Sequence, residues 1–143
     1  MNSQISKSLW TAFKKAAWAP ITVFAIHMLV VQAFHLYIRF PHIDALEHFT
    51  GGVVMAYFFY HILSSVRSMV FQPAYATLLQ NKIVVLAVTT TAVLWEFCEF
   101  ILDYTFMIDA LRQGTVADTM ADIALGMTGA ICYLVARRTK KGV

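Results

Sequence analysis

Residues 82–105 read KIVVLAVTTTAVLWEFCEFILDYT, an apolar stretch whose acidic residues are confined to its second half. A membrane-spanning helix needs about 20 predominantly apolar residues, and this stretch supplies them. Glu96, Glu99 and Asp103 follow one another at intervals of three and four, so a helix carries them along one face. The stretch therefore predicts a transmembrane helix with a polar stripe toward one end.

The composition of the whole chain is that of a membrane protein. Hydrophobic residues make up 59% of its 143 residues and charged residues 13%, and the mean hydropathy is +0.66. Soluble domains have roughly 45–50% apolar and 25% charged residues. Further apolar stretches predict spans at about 18–38, 47–70 and 117–136, with a loop at 71–81. We expect a single all-helical membrane domain over residues 1–143, folded as a four-helix bundle.

The amino-terminal segment differs from these spans. Residues 1–16 are polar and basic, with Ile5, Leu9 and Phe13 at fourfold spacing. That spacing predicts a short amphipathic helix in the membrane interface, with its lysines toward the headgroups. No small-residue cleavage site follows the apolar run at 18–38, so we expect this run to be retained as a span.

Basic residues predict the orientation, because cytoplasmic segments carry an excess of Lys and Arg. Arg39 and Arg112 fall on one side of the predicted bundle. The other nine of the eleven basic residues fall on the opposite side: Lys7, Lys14, Lys15, Arg67, Lys82, Arg137, Arg138, Lys140 and Lys141. We expect that side, with both termini, to face the cytoplasm.

The acidic residues have the reverse distribution. All eight fall on the outer side of the predicted bundle: Asp44, Glu47, Glu96, Glu99, Asp103, Asp109, Asp118 and Asp122. Three spans each present them at helical spacing, and Gly51, Gly52, Gly126 and Gly129 permit close helix approach.

Carboxylates inside a bilayer need a compensating charge or a proton. Each costs about 2.5–3.5 kcal/mol near the centre of a span, and Arg39 and Arg112 can neutralise two at most. Protonation in a hydrogen-bonded packing network is one solution, and a bound cation is the other. We expect divalent metal, and the predicted ligands are Asp44, His48, Glu96, Glu99, Asp103, Asp118 and Asp122.

The predicted ligand set is rich in oxygen, with one good nitrogen ligand. It suits Mg²⁺, Mn²⁺, Ca²⁺ or a carboxylate-bridged iron or zinc pair, without choosing among them. His27 and His61 are predicted at similar depth on the first two spans, and so are His35 and His48. Matched histidines on two helices can hold haem. A surrounding ring of carboxylates argues against haem. Nothing in the pattern indicates a nucleic-acid partner.

Three segments carry a family resemblance. They are DALEHFTGG at 44–52, WEFCE at 95–99 with Asp103, and DTMAD at 118–122 ending at Gly129-Ala130. Their order resembles the YjdF-like family of small bacterial inner-membrane proteins and, more distantly, the VanZ-like family. The resemblance implies a four-helix membrane bundle in the bacterial inner membrane, with a polar site facing the periplasm and a connection to the cell envelope.

These observations leave three functions open. The first is a metal-dependent enzyme acting on a lipid or lipid-linked envelope substrate, in which metal-activated water attacks and Glu47 is the candidate base. The second is a non-catalytic, metal-stabilised accessory subunit of a larger membrane complex. The third is cation or proton transfer, for which few polar residues line the inner half.

Overall fold

The computed structural model describes residues 3–32, 34, 39–40, 42–106 and 114–139, and most of these residues are helical, with no strand among them. Helix α1 spans Ser3–Ala16 and α2 spans Trp18–Ile26, continued by a π-helical segment at His27–Gln32. Helix α3 spans Ile43–Val70, α4 spans Ala76–Phe106 and α5 spans Val116–Thr139. The all-helical prediction is confirmed.

Within the described residues, three helices are long and apolar enough to cross a membrane: Ile43–Val70, Ala76–Thr105 and Val116–Thr139. Their large side chains point outward, as Leu86, Leu94 and Phe97 show on α4. Such a surface is matched to lipid tails, so these helices contact the bilayer. In the span predicted at 18–38, residues 33 and 35–38, which include His35, lie outside the described part of the chain. Asp109, in the predicted outer loop, lies outside it as well.

The centre of the bundle is built from small and medium side chains of α3, α4 and α5. The buried cluster comprises Ala56, Tyr60, Val84, Val88, Ala130 and Leu134. Helix α5 packs along α3, and α1 and α2 pack on the other side of α3. Helix α3 is therefore the element that all the other helices contact.

Two glycines allow α5 to approach α3 closely. A Cβ at Gly52 would overlap the backbone of Gly126, and a Cβ at Gly129 would overlap the carbonyl of Phe49. The predicted role of these glycines in close packing is confirmed. It is wrong for Gly51, since a Cβ there would meet nothing within 4 Å.

The predicted loop at 71–81 is too long, because α4 begins at Ala76. Gln80, which looks like a loop residue in the sequence, is fully buried. Its Nε2 donates to the Tyr60 carbonyl at 3.1 Å and to Ser64 Oγ at 2.6 Å. The amide N–H groups are thus paired with the neighbouring helix, while the buried Oε1 has no hydrogen-bond partner. The sequence does not reveal these partners on α3.

Candidate metal centre

The candidate site lies where α3 begins, α4 ends and α5 begins. Helix α3 places Asp44, Glu47 and His48 in its first two turns, and α5 places Asp122 in its second turn. Helix α4 runs antiparallel to both, so Glu96 near its end arrives at the same level. The sequence predicts that these side chains converge, and the structure brings five of the seven predicted ligands together.

His48 lies at the centre of this arrangement. Its Nε2 lies 3.5 Å from Oδ1 of Asp44 and 3.6 Å from Oε1 of Glu96. Its side chain is only 8% exposed, and that of Glu96 only 7%. The Asp44 contact follows from their spacing of four residues, which puts both side chains on one face of α3.

Two groups of potential ligands share His48. Asp44, His48 and Asp122 form one, and His48, Glu96 and Glu99 form the other. Within each group one ligand atom per residue lies within 4.8 Å of the others. We use the name carboxylate–histidine cluster for the five residues together: Asp44, His48, Glu96, Glu99 and Asp122.

The cluster is compatible in size and chemistry with a divalent cation. Metal bonds to oxygen and nitrogen of about 2.0–2.2 Å place opposite ligand atoms about 4 Å apart. The ligand atoms within each group lie within 4.8 Å of one another. To reach about 4 Å they would have to move closer together by less than about 1 Å. One imidazole among carboxylates suits Mn²⁺, Fe²⁺ or Zn²⁺ better than a softer metal.

Glu96 has one buried carboxylate oxygen that lacks a hydrogen bond. Its Oε1 is buried and has no hydrogen-bond partner. Leaving a buried acceptor unsatisfied costs about 1–3 kcal/mol, and more when the group is charged. This atom is also the one that faces His48. The position between them is therefore where a cation would be most stabilising.

Glu99 is held from the other side. Trp95, one turn earlier on α4, donates its indole N–H to Glu99 Oε1 at 2.8 Å. The carboxylate is 6% exposed. This hydrogen bond fixes one Glu99 oxygen, so that the carboxylate's orientation toward the cluster is set before any ligand binds.

Two of the predicted ligands lie outside both groups. Asp103 is half-buried, one turn beyond Glu99 on α4. Asp118 is exposed in the first turn of α5, where its backbone N–H donates to Thr115 Oγ1 at 3.3 Å. Thr-x-x-Asp at a helix start is a capping pattern, and here the Thr115 side chain caps the first turn of α5. The sequence contained this signal at residues 115–118.

Glu47 points away from the cluster toward α2. Its Oε2 lies 2.9 Å from Nδ1 of His27, and both side chains are largely buried, at 19% and 7% exposed. The ring of His27 also meets that of Trp95 edge-on, with centroids 5.4 Å apart. His27 and Glu47 thus form a polar pair beside the cluster.

The predicted depth of His27 is wrong. His27 was expected at the depth of His61, but its contact with Glu47 places it near the start of α3. Glu47 and His61 are separated by about 21 Å along a helix at 1.5 Å per residue. His61 instead packs on Tyr57, with ring centroids 4.5 Å apart. The depth of α2 relative to α3 is a tertiary property that hydropathy does not encode.

A narrow cavity of about 180 Å³ adjoins both polar groups. His27, Asp44, Glu47 and His48 stand at one end of it. The rest of its wall is mainly apolar, contributed by α2, α3 and α4 with residues such as Val23, Met55 and Val88. A polar end and an apolar body make this cavity amphipathic.

Comparison with known proteins gives a family match over nearly the whole chain. Residues 5–141 match the model of a family described as "Predicted membrane protein (DUF2238)". An uncharacterized protein of Thermotoga maritima is 30% identical over 112 residues, which cover 78% of this chain and 55% of that protein. The chain thus spans about half the length of this curated relative. No solved structure matches. The resemblance to the YjdF-like family is consistent with this family match.

Proposed function

This chain belongs to the DUF2238 family of predicted membrane proteins, and we propose that it holds a divalent metal ion in the carboxylate–histidine cluster. The observation that carries the proposal is the buried Oε1 of Glu96, which lacks a hydrogen-bond partner and faces His48 Nε2 at 3.6 Å. A cation between these atoms would satisfy the oxygen and reduce the repulsion among neighbouring carboxylates.

We also propose the membrane topology. Helix α2 with its π-helical continuation is the first of four spans, and both termini lie in the cytoplasm. The distribution of charge supports this, because Lys15 of α1 and Arg137 of α5 both lie beside the second half of α3, near His61 and Tyr60. Cytoplasmic segments carry an excess of Lys and Arg. The cluster then opens toward the periplasmic side of a bacterial inner membrane.

Elemental analysis of detergent-purified protein tests the metal proposal. We expect close to one divalent metal per chain in the wild type after desalting. Glu96→Gln removes the charge while preserving the shape, and should lower that content by at least about tenfold. Asp118→Asn removes a carboxylate that lies outside the cluster, and should leave the content unchanged. Equal metal content in the wild type and Glu96→Gln contradicts the proposal.

A second candidate function is favoured by the Glu47–His27 pair. A carboxylate held by a histidine at 2.9 Å, beside a proposed metal and at the polar end of an apolar cavity, is placed to act as a general base. We propose on this ground a metal-dependent reaction on a lipid or lipid-linked substrate. The metal would supply Lewis-acid activation, Glu47 would accept a proton, and His27 would orient Glu47.

Turnover of a lipid extract separates this candidate from a non-catalytic role. Wild type and Glu47→Gln are incubated with envelope lipids, and the products are followed by mass spectrometry. Loss of turnover in Glu47→Gln with metal content intact supports the enzyme. Metal retention without turnover in the wild type supports a metal-stabilised accessory subunit of a larger membrane complex instead.

A further inference from the structure

A second polar cavity lies between α1 and α3, at the opposite end of the bundle from the cluster. It is an open cleft of about 550 Å³, lined by residues that include Lys7, Lys15, His61 and Ser64. His48 and His61 are thirteen residues apart on α3, so the two sites are separated by about 20 Å along the helix. The proposed metal site has no part in this cleft.

The charge of the cleft is strictly positive. Lys7 and Lys15 stand two helical turns apart on α1, and the acids of the chain begin only at Asp44. Helix α3 carries no acid after Glu47. Among the described residues neither lysine forms an ion pair, and the cleft lining contains no carboxylate. Two lysines therefore line one cleft, and none of the cleft's lining residues is acidic.

The opposite wall adds hydrogen-bonding groups. Ser64 Oγ accepts a 2.6 Å hydrogen bond from Gln80 Nε2, which leaves its own O–H to donate. Ser8 contributes a further hydroxyl to the lining, whereas the hydroxyl of Ser65 already donates to the Ile62 carbonyl at 2.7 Å. The combination of two cations with hydroxyl donors is the chemistry that binds phosphate oxygens.

Aromatic contacts with α3 hold α1 and the start of α2 beside the cleft without closing it. Phe13 of α1 packs edge-on against Phe58, with centroids 5.7 Å apart, and Trp18 of α2 packs against Tyr57 at 6.1 Å. Leu9 lies on the same helix and is half-buried. An amphipathic helix anchored by aromatic contacts, with its lysines over an opening, is suited to the level of lipid headgroups.

From this geometry we infer that the α1–α3 cleft binds a phosphate group, carried by an anionic phospholipid at the surface where α1 lies. Free inorganic phosphate has the same chemistry, and the experiment separates the two sources. The lipid is the favoured source because Lys7, Lys15 and the aromatic anchor Phe13 belong to the same amphipathic helix. The inference is independent of the metal proposal.

Native mass spectrometry of the full chain tests this inference. The protein is released from detergent after incubation with phosphatidylglycerol, with phosphatidylcholine, or with inorganic phosphate alone. The double substitution Lys7→Gln and Lys15→Gln should weaken phosphatidylglycerol binding by about fivefold for each lysine removed. Lys14→Gln is the matched control, because Lys14 lies over the Trp10 ring at 5.6 Å and does not line the cleft.

Retention of phosphatidylglycerol by the wild type and Lys14→Gln, with loss in the double variant, supports a lipid phosphate site. Retention of inorganic phosphate with no preference for phosphatidylglycerol over phosphatidylcholine supports a site for the free ion. A loss in Lys14→Gln as large as the loss per lysine in the double variant would mean that only overall surface charge matters, and this overturns the inference. So does the absence of phosphate or phosphatidylglycerol binding to the wild type.

Discussion

The indole N–H of Trp95 donates a 2.8 Å hydrogen bond to Oε1 of Glu99, four residues further along α4. The same ring meets His27 edge-on at 5.4 Å. One tryptophan thereby connects the carboxylate–histidine cluster to the Glu47–His27 pair. This connection makes Trp95 a positioning residue for both groups.

Trp95→Phe removes the donor to Glu99 while keeping an aromatic ring against His27. We expect metal affinity to fall about 10-fold, since partners of ligating groups typically contribute 10–100-fold. The measurement is competition between the protein and a chelator of known affinity for Mn²⁺ or Zn²⁺. Trp18→Phe is the control, because Trp18 packs on Tyr57 away from the cluster. Equal affinities for the wild type and Trp95→Phe would show that this hydrogen bond does not position Glu99.

Gly52→Ala should destabilise the packing of α5 on α3. The added Cβ would overlap the backbone of Gly126, which cannot move independently of its helix. Overpacking of this kind costs about 1–3 kcal/mol, so the unfolding temperature followed by circular dichroism in detergent should fall.

Gly51→Ala provides the matched control for that experiment. Nothing lies within 4 Å of a Cβ at Gly51, and alanine is favoured over glycine in a helix by about 1 kcal/mol. Its unfolding temperature should stay level or rise. If Gly51→Ala lowers the temperature as much as Gly52→Ala, the described contact between α3 and α5 is incorrect.

Gln80→Leu should destabilise the pairing of α3 with α4. It removes the donor to the Tyr60 carbonyl and Ser64 Oγ from a fully buried position. The expected loss is about 1–3 kcal/mol in the free energy of unfolding. Gln72→Leu is the control, because it makes the same change at an exposed residue between the two helices. In denaturant titrations Gln80→Leu should unfold at a lower midpoint than Gln72→Leu, and identical midpoints would argue against the buried hydrogen bonds.

The sequence predicted the parts of the site that depend on helical spacing. Asp44 and His48 are four residues apart and are in contact, and Glu96 and Glu99 are three apart and both buried. Side-chain position along a helix follows from 3.6 residues per turn. The convergence of these helices was also predictable, because antiparallel spans bring the start of α3 and the end of α4 to one side.

The parts that were missed depend on tertiary packing. His27 pairs with Glu47 because of how deeply α2 sits against α3, and Gln80 is buried because α3 offers it two acceptors. Neither relationship has a local pattern. The exposure of Asp118 has a local pattern, because Thr115 and Asp118 have the spacing of a capping sequence at a helix start.

X-ray absorption spectroscopy at the edge of the bound metal tests the central claim most directly. The account predicts oxygen and nitrogen ligands at about 2.0–2.2 Å, with the outer-shell scattering of one imidazole. In His48→Gln that imidazole contribution should vanish while any residual carboxylate ligation remains. A wild-type protein that retains no metal, or an imidazole contribution that survives in His48→Gln, would contradict the account.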